Sequence, residues 1–491
     1  MRHNFALLSS LATLALAGCT FLNHFDDLKD VPVAMAGTGG TPEGGGGTGG
    51  EAGEPSTQGG KGGTGGGATG GTGGATGGSG GTGGVVDLPD GLVLVAGTAS
   101  SKGVISVISP TTGKELSRIS APVKFGVVTL TYDGIADLWY AIYANAINPF
   151  AEAAKLSILQ IGLDGKFTVL STTSVPLPYS AQLIAPLRDR LLYVTSTADN
   201  PPKVSFTLIN TKDPKLPLQL SGATPVAVPD NISPFGMVDN LQGMLARPNT
   251  AASAPGGTAT FVMRGAIGGT SCSNGTGMPP NACTVRVLTA TVDAAAKGPT
   301  LETAGATGYP IIGYVSSTQN GAAGWALQKG AGGGSDVFVF PPLDYTVANA
   351  TGDMIRINPF SHAKQTEYPF PMAGPHVSNA VFDSCSNVGY AGELNITKSV
   401  YAIPTASMGV SSITPISQTV NQIAFEPFTR TIIRTFQDDT SPSIDAWYVD
   451  GTDDKPTLKA RPASGKGAWA PPSDLNPSLI VVKDPPVSPC Q

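Results

Sequence analysis

Few side chains in this chain can carry chemistry. Beyond Cys19, the cysteines are Cys272, Cys283, Cys385 and Cys490. An even number in an exported chain reads as two disulfides, and four cysteines leave three pairings open. Cys272 and Cys283 flank a polar loop of turn formers, Ser273 to Ala282. Pairing them pins that loop, with a stabilisation of roughly 3 kcal/mol in the loop-entropy account. Cys385 with Cys490 then ties the last residues to the body of the chain. Zinc is the alternative, but neither a C-x₂-C spacing nor a neighbouring histidine supports it.

Only His362 and His376 lie outside the N-terminal region. A Ser-His-Asp or Cys-His site would have to use one of them, and neither stands in a recognisable catalytic frame. His362, within Pro359-Phe360-Ser361-His362-Ala363-Lys364, reads as part of an exposed turn. His376 precedes Val377, where a strand begins, and is the better candidate for binding. Trp325, amid Gly321-Ala322-Ala323-Gly324, is the second, because Trp139, Trp447 and Trp469 read as core. Asp438-Asp439 and Asp450-Gly451-Thr452-Asp453-Asp454 lack the calcium-loop spacing and read as solvated turns. Gly77, Ser79 and Gly81 match a nucleophile elbow only formally, with no strand before them and no helix after. The phosphate-cradling G-x-x-x-x-G-K-[ST] is absent. No metal and no cofactor is expected. A binding protein is the first reading. A hydrolase or lactonase, with acidic and histidine side chains converging at a channel mouth, is the second.

Stepping outward, residues 37–84 hold 27 of the 64 glycines. Repeats such as Gly71-Thr72-Gly73-Gly74 carry too little apolar surface to offset ordering entropy, so a disordered linker is expected. As a flexible coil, 48 residues average roughly 35–42 Å end to end. With no strict every-third-residue glycine, collagen is excluded. The formal charge of −6 argues against a nucleic-acid partner.

Residues 1–17 join a charged start to an apolar run, Phe5 to Ala17, too short to span a bilayer. They lead into Leu16-Ala17-Gly18-Cys19, which resembles the lipobox of bacterial lipoproteins. The resemblance implies a signal peptide over 1–18 and acylation of Cys19 by palmitate-type chains. It also implies anchoring in the cell envelope, with the membrane as partner. Thr20 after the cysteine suggests the outer membrane. The linker resembles the Gly/Thr-rich tethers of surface lipoproteins. Residues 19–84 are therefore read as lipidated N-terminus and tether, and 85–491 as the working domain.

That domain reads as all-β. Leu92 to Ala96, Gly103 to Ile108 and Glu115 to Ile119 form three strands with a turn at Ser109 to Lys114. Leu138 to Ile142, Leu156 to Ile161 and Lys166 to Leu170 repeat the order, with Asp164-Gly165 as hairpin turn. Further strands are Arg190 to Val194 and Val204 to Ile209. Paired runs follow: Ala259 to Met263 with Thr284 to Leu288, and Val337 to Phe340 with Met354 to Ile357. The last two are Val388 to Ala391 with Ser399 to Ile403, and Thr431 to Thr435 with Ala446 to Val449. Leu92 to Ile119, and Leu192-Tyr193-Val194, resemble the repeating unit of YVTN-type β-propellers. The resemblance implies a seven-bladed β-propeller, with a β-sandwich tandem or another β solenoid as the alternative. It says little about activity, because propellers host enzymes, binders and scaffolds alike.

Overall fold

Short runs of Val, Ile, Leu and aromatic residues, separated by Gly, Pro, Asp and Asn, favour strands joined by turns. In the computed structural model every described regular element is a strand. The structure describes residues 91–483 apart from connecting stretches. The larger of these are 146–151, 176–181, 197–203, 227–234, 268–282, 303–308, 311–323, 330–334, 341–350, 358–363, 374–376, 384–387, 394–398, 405–410, 416–418, 438–441 and 463–467. Through 302–379 it describes the backbone alone. Residues 1–90 and 484–491 lie outside it, and with them the expected signal peptide, lipidation site and linker.

The strands form seven antiparallel sheets. The first holds β1 (Val93–Ala99), β2 (Lys102–Ile108) and β3 (Glu115–Ser120). The second is β4 (Phe125–Asp133), β5 (Leu138–Asn145), β6 (Ala154–Ile161) and β7 (Phe167–Val175). The third is β8 (Gln182–Leu187), β9 (Arg190–Ser196) and β10 (Val204–Asn210), with β11 (Leu218–Gln219) and β12 (Thr224–Val226) both on β10. The fourth is β13 (Phe235–Pro248), β14 (Gly257–Ile267) and β15 (Cys283–Val292), with β16 (Thr300–Glu302) and β17 (Tyr309–Pro310) both on β15. The fifth runs β18 (Gly324–Lys329), β19 (Ser335–Phe340), β20 (Thr351–Ile357), β21 (Lys364–Ala373). The sixth runs β22 (Val377–Asp383), β23 (Val388–Glu393), β24 (Ser399–Pro404), β25 (Ser411–Pro415). The seventh runs β26 (Thr419–Glu426), β27 (Thr431–Gln437), β28 (Pro442–Thr452), β29 (Lys455–Ala460). The last strand, β30 (Asn476–Val482), returns to the first sheet and pairs with β1, Val93 opposite Val482.

The leading strands touch in a closed cycle: β30 with β4, then β8, β13, β18, β22, β26 and back to β30. Each sheet thus presents its leading strand inward and its later strands outward. The first sheet is completed only by β30, from the other end of the chain. Sequence reading found the second, third and several fourth strands but not the inner ones. Its unit from Leu92 to Ile119 is the outer three-quarters of a sheet.

The core lies between neighbouring sheets. Leu92, Leu94, Ile105 and Val107 pack with Leu130, Tyr132, Trp139 and Tyr143 between the first two. Tyr140, Ile142, Leu156 and Ile158 meet Ile184, Leu191 and Tyr193 between the second and third. Val381, Tyr390, Phe425, Ile432 and Ile480 belong to a cluster spanning the sixth, seventh and first. Each such side chain contributes about 1.5–3 kcal/mol when fully buried.

Candidate functional site

Buried charges first show what the ring does with its ionisable groups. Asp133, Asp383 and Glu426 are each buried, and each ends an inner strand: β4, β22 and β26. Asp133 Oδ1 accepts from the Ile135 and Ala136 N–H groups at 3.0 and 3.1 Å. Glu426 accepts from the Phe428 and Thr429 N–H groups at 3.0 and 2.8 Å, and from the Thr429 hydroxyl. Asp133 and Glu426 thus satisfy donors of the tight turn into the second strand, the role an Asx-type cap plays. The residue before that second strand is left-handed in three sheets, at Asp137 (φ 52), Asp189 (φ 53) and Arg430 (φ 47). Repetition of one device around the ring marks these acids as parts of the frame.

These turns share one end of the ring, called here the root end, because the chain enters there. Lys483 N–H donates to Leu92 O at 2.7 Å, closing the first sheet at that end. Lys483 Nζ pairs with Asp137 in the neighbouring turn at 2.7 Å. A Cβ added to Gly91 would collide with Glu426 Oε1, so the Gly91 backbone packs directly over that cap.

The most perturbed cluster lies on the root end of the second to fourth sheets. Burial raises the Asp133 carboxyl to about 6, opposed by its turn N–H bonds, the Tyr140 hydroxyl and the Arg188 charge. Tyr140 donates to Asp133 Oδ2 at 3.4 Å, and its own hydroxyl is pushed well up by burial and by the Asp133 charge. Arg188 bridges to the next sheet through its backbone pairing with Gly256 and a side-chain bond to Asn249 O. Arg190 donates to Asn210 Oδ1 and to Asp189 O, both at 2.9 Å. A raised carboxyl beside a tyrosine is a pattern that active sites use. Here the same carboxylate caps a turn, as Glu426 does in the seventh sheet, and that is its explanation.

In the seventh sheet Arg434, 1% exposed, grips Asp445 with two bonds of 2.6 Å. Its guanidinium lies 4.8 Å from the Phe436 ring centre and 5.4 Å from that of Trp447. This fork-to-fork pair with aromatic faces on either side is arginine chemistry that lysine cannot copy. It joins β27 to β28 and holds the outer half of the sheet.

The residues singled out from sequence are distributed as follows. Cys19, Cys272, Cys385, Cys490, His362 and His376 lie outside the described residues. So does the Cys283 side chain, although its backbone opens β15 opposite Ala266. Both pairings expected of these cysteines therefore lie outside the described residues. Trp325 sits in β18 opposite Val339, its backbone alone described. Val377 begins β22, so the chain after His376 enters an inner strand at the end opposite the root. Trp139 and Trp469 are buried and Trp447 is packed on the core, as expected. Asp450 engages Lys459, and no three His, Cys, Asp or Glu side chains gather as metal ligands among the described residues. Sequence reading missed the turn acids. Their signal is an aromatic followed by an acid at the end of a strand: Tyr132-Asp133, Phe382-Asp383, Phe425-Glu426.

Four-stranded sheets arranged about a cycle of inner strands define a β-propeller. No protein-family model matches the chain, and no curated protein sequence does. Among solved structures, the chain is similar to a candidate 6-phosphogluconolactonase from Bacteroides uniformis. The two share 12% identity over 80% of this chain and 99% of that one, with a TM-score of 0.50. It also aligns with apo AztD from Citrobacter koseri, at 13% identity over 80% and 97% of the chains and a TM-score of 0.42. A third alignment is to the β-propeller domain of the Trilobed protease from Pyrococcus furiosus, at 7% identity, 76% and 92% coverage and a TM-score of 0.39. At 12% identity the first likeness speaks to fold alone.

Proposed function

We propose that this is an exported lipoprotein, anchored through Cys19, that displays a seven-bladed β-propeller on a Gly/Thr-rich tether. Its task is to bind a protein or small molecule at the cell envelope, with the outer membrane as its site. The observation that carries the reading is the use of the buried carboxylates. Asp133 and Glu426 cap turns through their own following N–H groups, and Asp383 stands at the matching strand end. A frame held in this way leaves the loops of the opposite end free to vary, which suits a recognition surface. Those loops include the segment holding His376. The cysteine pairs Cys272–Cys283 and Cys385–Cys490 belong to the same proposal.

Palmitate labelling and membrane fractionation of wild type and Cys19→Ser test the anchor. Persistence of both label and membrane association in the variant would overturn it. For the binding role, the isolated chain is assayed on lactones and esters beside His376→Ala. Turnover by the wild type that the variant loses would replace binding with the hydrolase reading.

A further inference from the structure

The root end of the third and fourth sheets carries a surface that the turn caps do not explain. Thr211 to Pro217 connects β10 to β11. Lys212 N–H donates to Asn210 Oδ1 at 3.1 Å, and Lys215 N–H to Asp213 Oδ1 at 3.0 Å. Leu216 N–H donates to Asp213 O at 3.1 Å, while Ser171 Oγ of the second sheet donates to Pro214 O at 2.7 Å. Two prolines, Pro214 and Pro217, stiffen the same stretch. A loop braced in this manner holds Leu216 76% exposed and Leu218 61% exposed. One exposed leucine is ordinary. Two on a rigid projection, with no freedom to fold back, are not.

Cations surround them. Lys212 and Lys215 are exposed, and Arg188, Arg190 and Arg247 are half-buried beside them. The side chains form one neighbourhood: Arg190 holds Asn210 and reaches Ala294 O at 3.4 Å, and Arg188 holds Asn249. Along these segments five cationic side chains outnumber the three carboxylates of Asp189, Asp213 and Asp293, on a chain whose net charge is −6. Gly91, the first described residue, also lies at this end, beside the β1–β30 pairing.

We propose that this root-end surface docks onto a bilayer bearing anionic headgroups. Leu216 and Leu218 enter the lipid, while Lys212 and Lys215 lie at phosphate level. Leucine tips flanked by lysine are the composition of an interfacial contact. A protein interface would call for aromatic anchors and about 800 Å² on each side, which two leucines do not supply. The surface rests on the anchored-platform reading only for the nearness of the membrane. A tether averaging roughly 35–42 Å would make a weak contact intramolecular and so raise its occupancy.

The test is co-sedimentation of full-length Cys19→Ser protein with phosphatidylcholine vesicles, with and without phosphatidylglycerol. It is run beside two further variants in the same background, Leu216→Ser with Leu218→Ser and Lys212→Glu with Lys215→Glu. Any pull of the N-terminal segment on vesicles is common to all three chains. Binding that requires phosphatidylglycerol, weakens with salt and falls about tenfold in either variant, with unfolding midpoints unchanged, is the expected result. Equal sedimentation of all three chains would overturn the proposal, as would equal binding to neutral vesicles. So would self-association that the leucine variant abolishes without vesicle binding, which would make this a protein interface. Because Cys19 is absent throughout, failure here leaves the palmitate result standing, and the reverse holds as well.

Discussion

Asp133→Asn is the sharpest probe of the turn-cap reasoning. Asparagine keeps an oxygen for the Ile135 and Ala136 N–H groups and removes the charge, together with the long 3.4 Å acceptor for Tyr140, a loss that does not vary with pH. Burial places the carboxyl near about 6, above its ordinary 3.8. The folded protein therefore holds the Asp133 proton more tightly than the unfolded chain does. The stability this brings is fully present below about pH 4 and is lost as pH rises through about 6. At about 1.4 kcal/mol for each tenfold the whole shift is worth about 3 kcal/mol, of which the wild type should lose about 2 kcal/mol between pH 4.5 and pH 7 that the variant keeps. Urea unfolding of both chains, followed by tryptophan fluorescence at pH 4.5 and pH 7, reads the difference directly. Titrations of all other groups cancel between the two. The variant should gain on the wild type as pH rises. A difference that stays constant to within about 0.5 kcal/mol, or that moves the other way, would refute the assignment of Asp133 as a buried cap with a desolvated charge.

Two further outcomes follow from the seventh and first sheets. Asp445→Asn should cost about 2 kcal/mol by chemical unfolding, less than the ~3–5 of a wholly buried pair because Asp445 is about a third exposed. Ending the chain at Leu475 removes β30 and bares the edge of β1. Limited proteolysis should then cut within the first sheet while the third resists, and the sharp unfolding transition should broaden.

Strands that alternate or pair through a clear turn were legible. Asp164-Gly165 announces the β6–β7 hairpin, and Gly165 takes the left-handed φ of 73 that the turn requires. Gly113, at φ 70 beneath Trp469, closes the turn read at Ser109 to Lys114 in the same way. The inner strands were hidden because both of their faces meet protein. Val127, Thr129, Leu130 and Thr131 of β4 are buried or nearly so, with a bulge between Val127 and Thr129. No two-residue rhythm survives that environment. β30 was hidden for a different reason. Its partner lies more than 380 residues away, and no local pattern announces so distant a pairing. The acids at the strand ends look like solvated turn charges until the structure shows Asp133 and Glu426 folded back onto their own backbones. Nothing in the sequence marks Leu216 and Leu218 as exposed. Only the braced geometry reveals that they point outward.

The seam between β1 and β30 has a mechanical side. A pull applied at Gly91 arrives at Val93, while a pull on the far end of the ring would act against it along the strand axis. β1 is flanked on both sides, by β2 and by β30, so the load is carried by two rows of hydrogen bonds strained together in shear instead of peeled one at a time. The strand that closes the circle, β30, is thus also one of the two that brace β1 against tension on the chain.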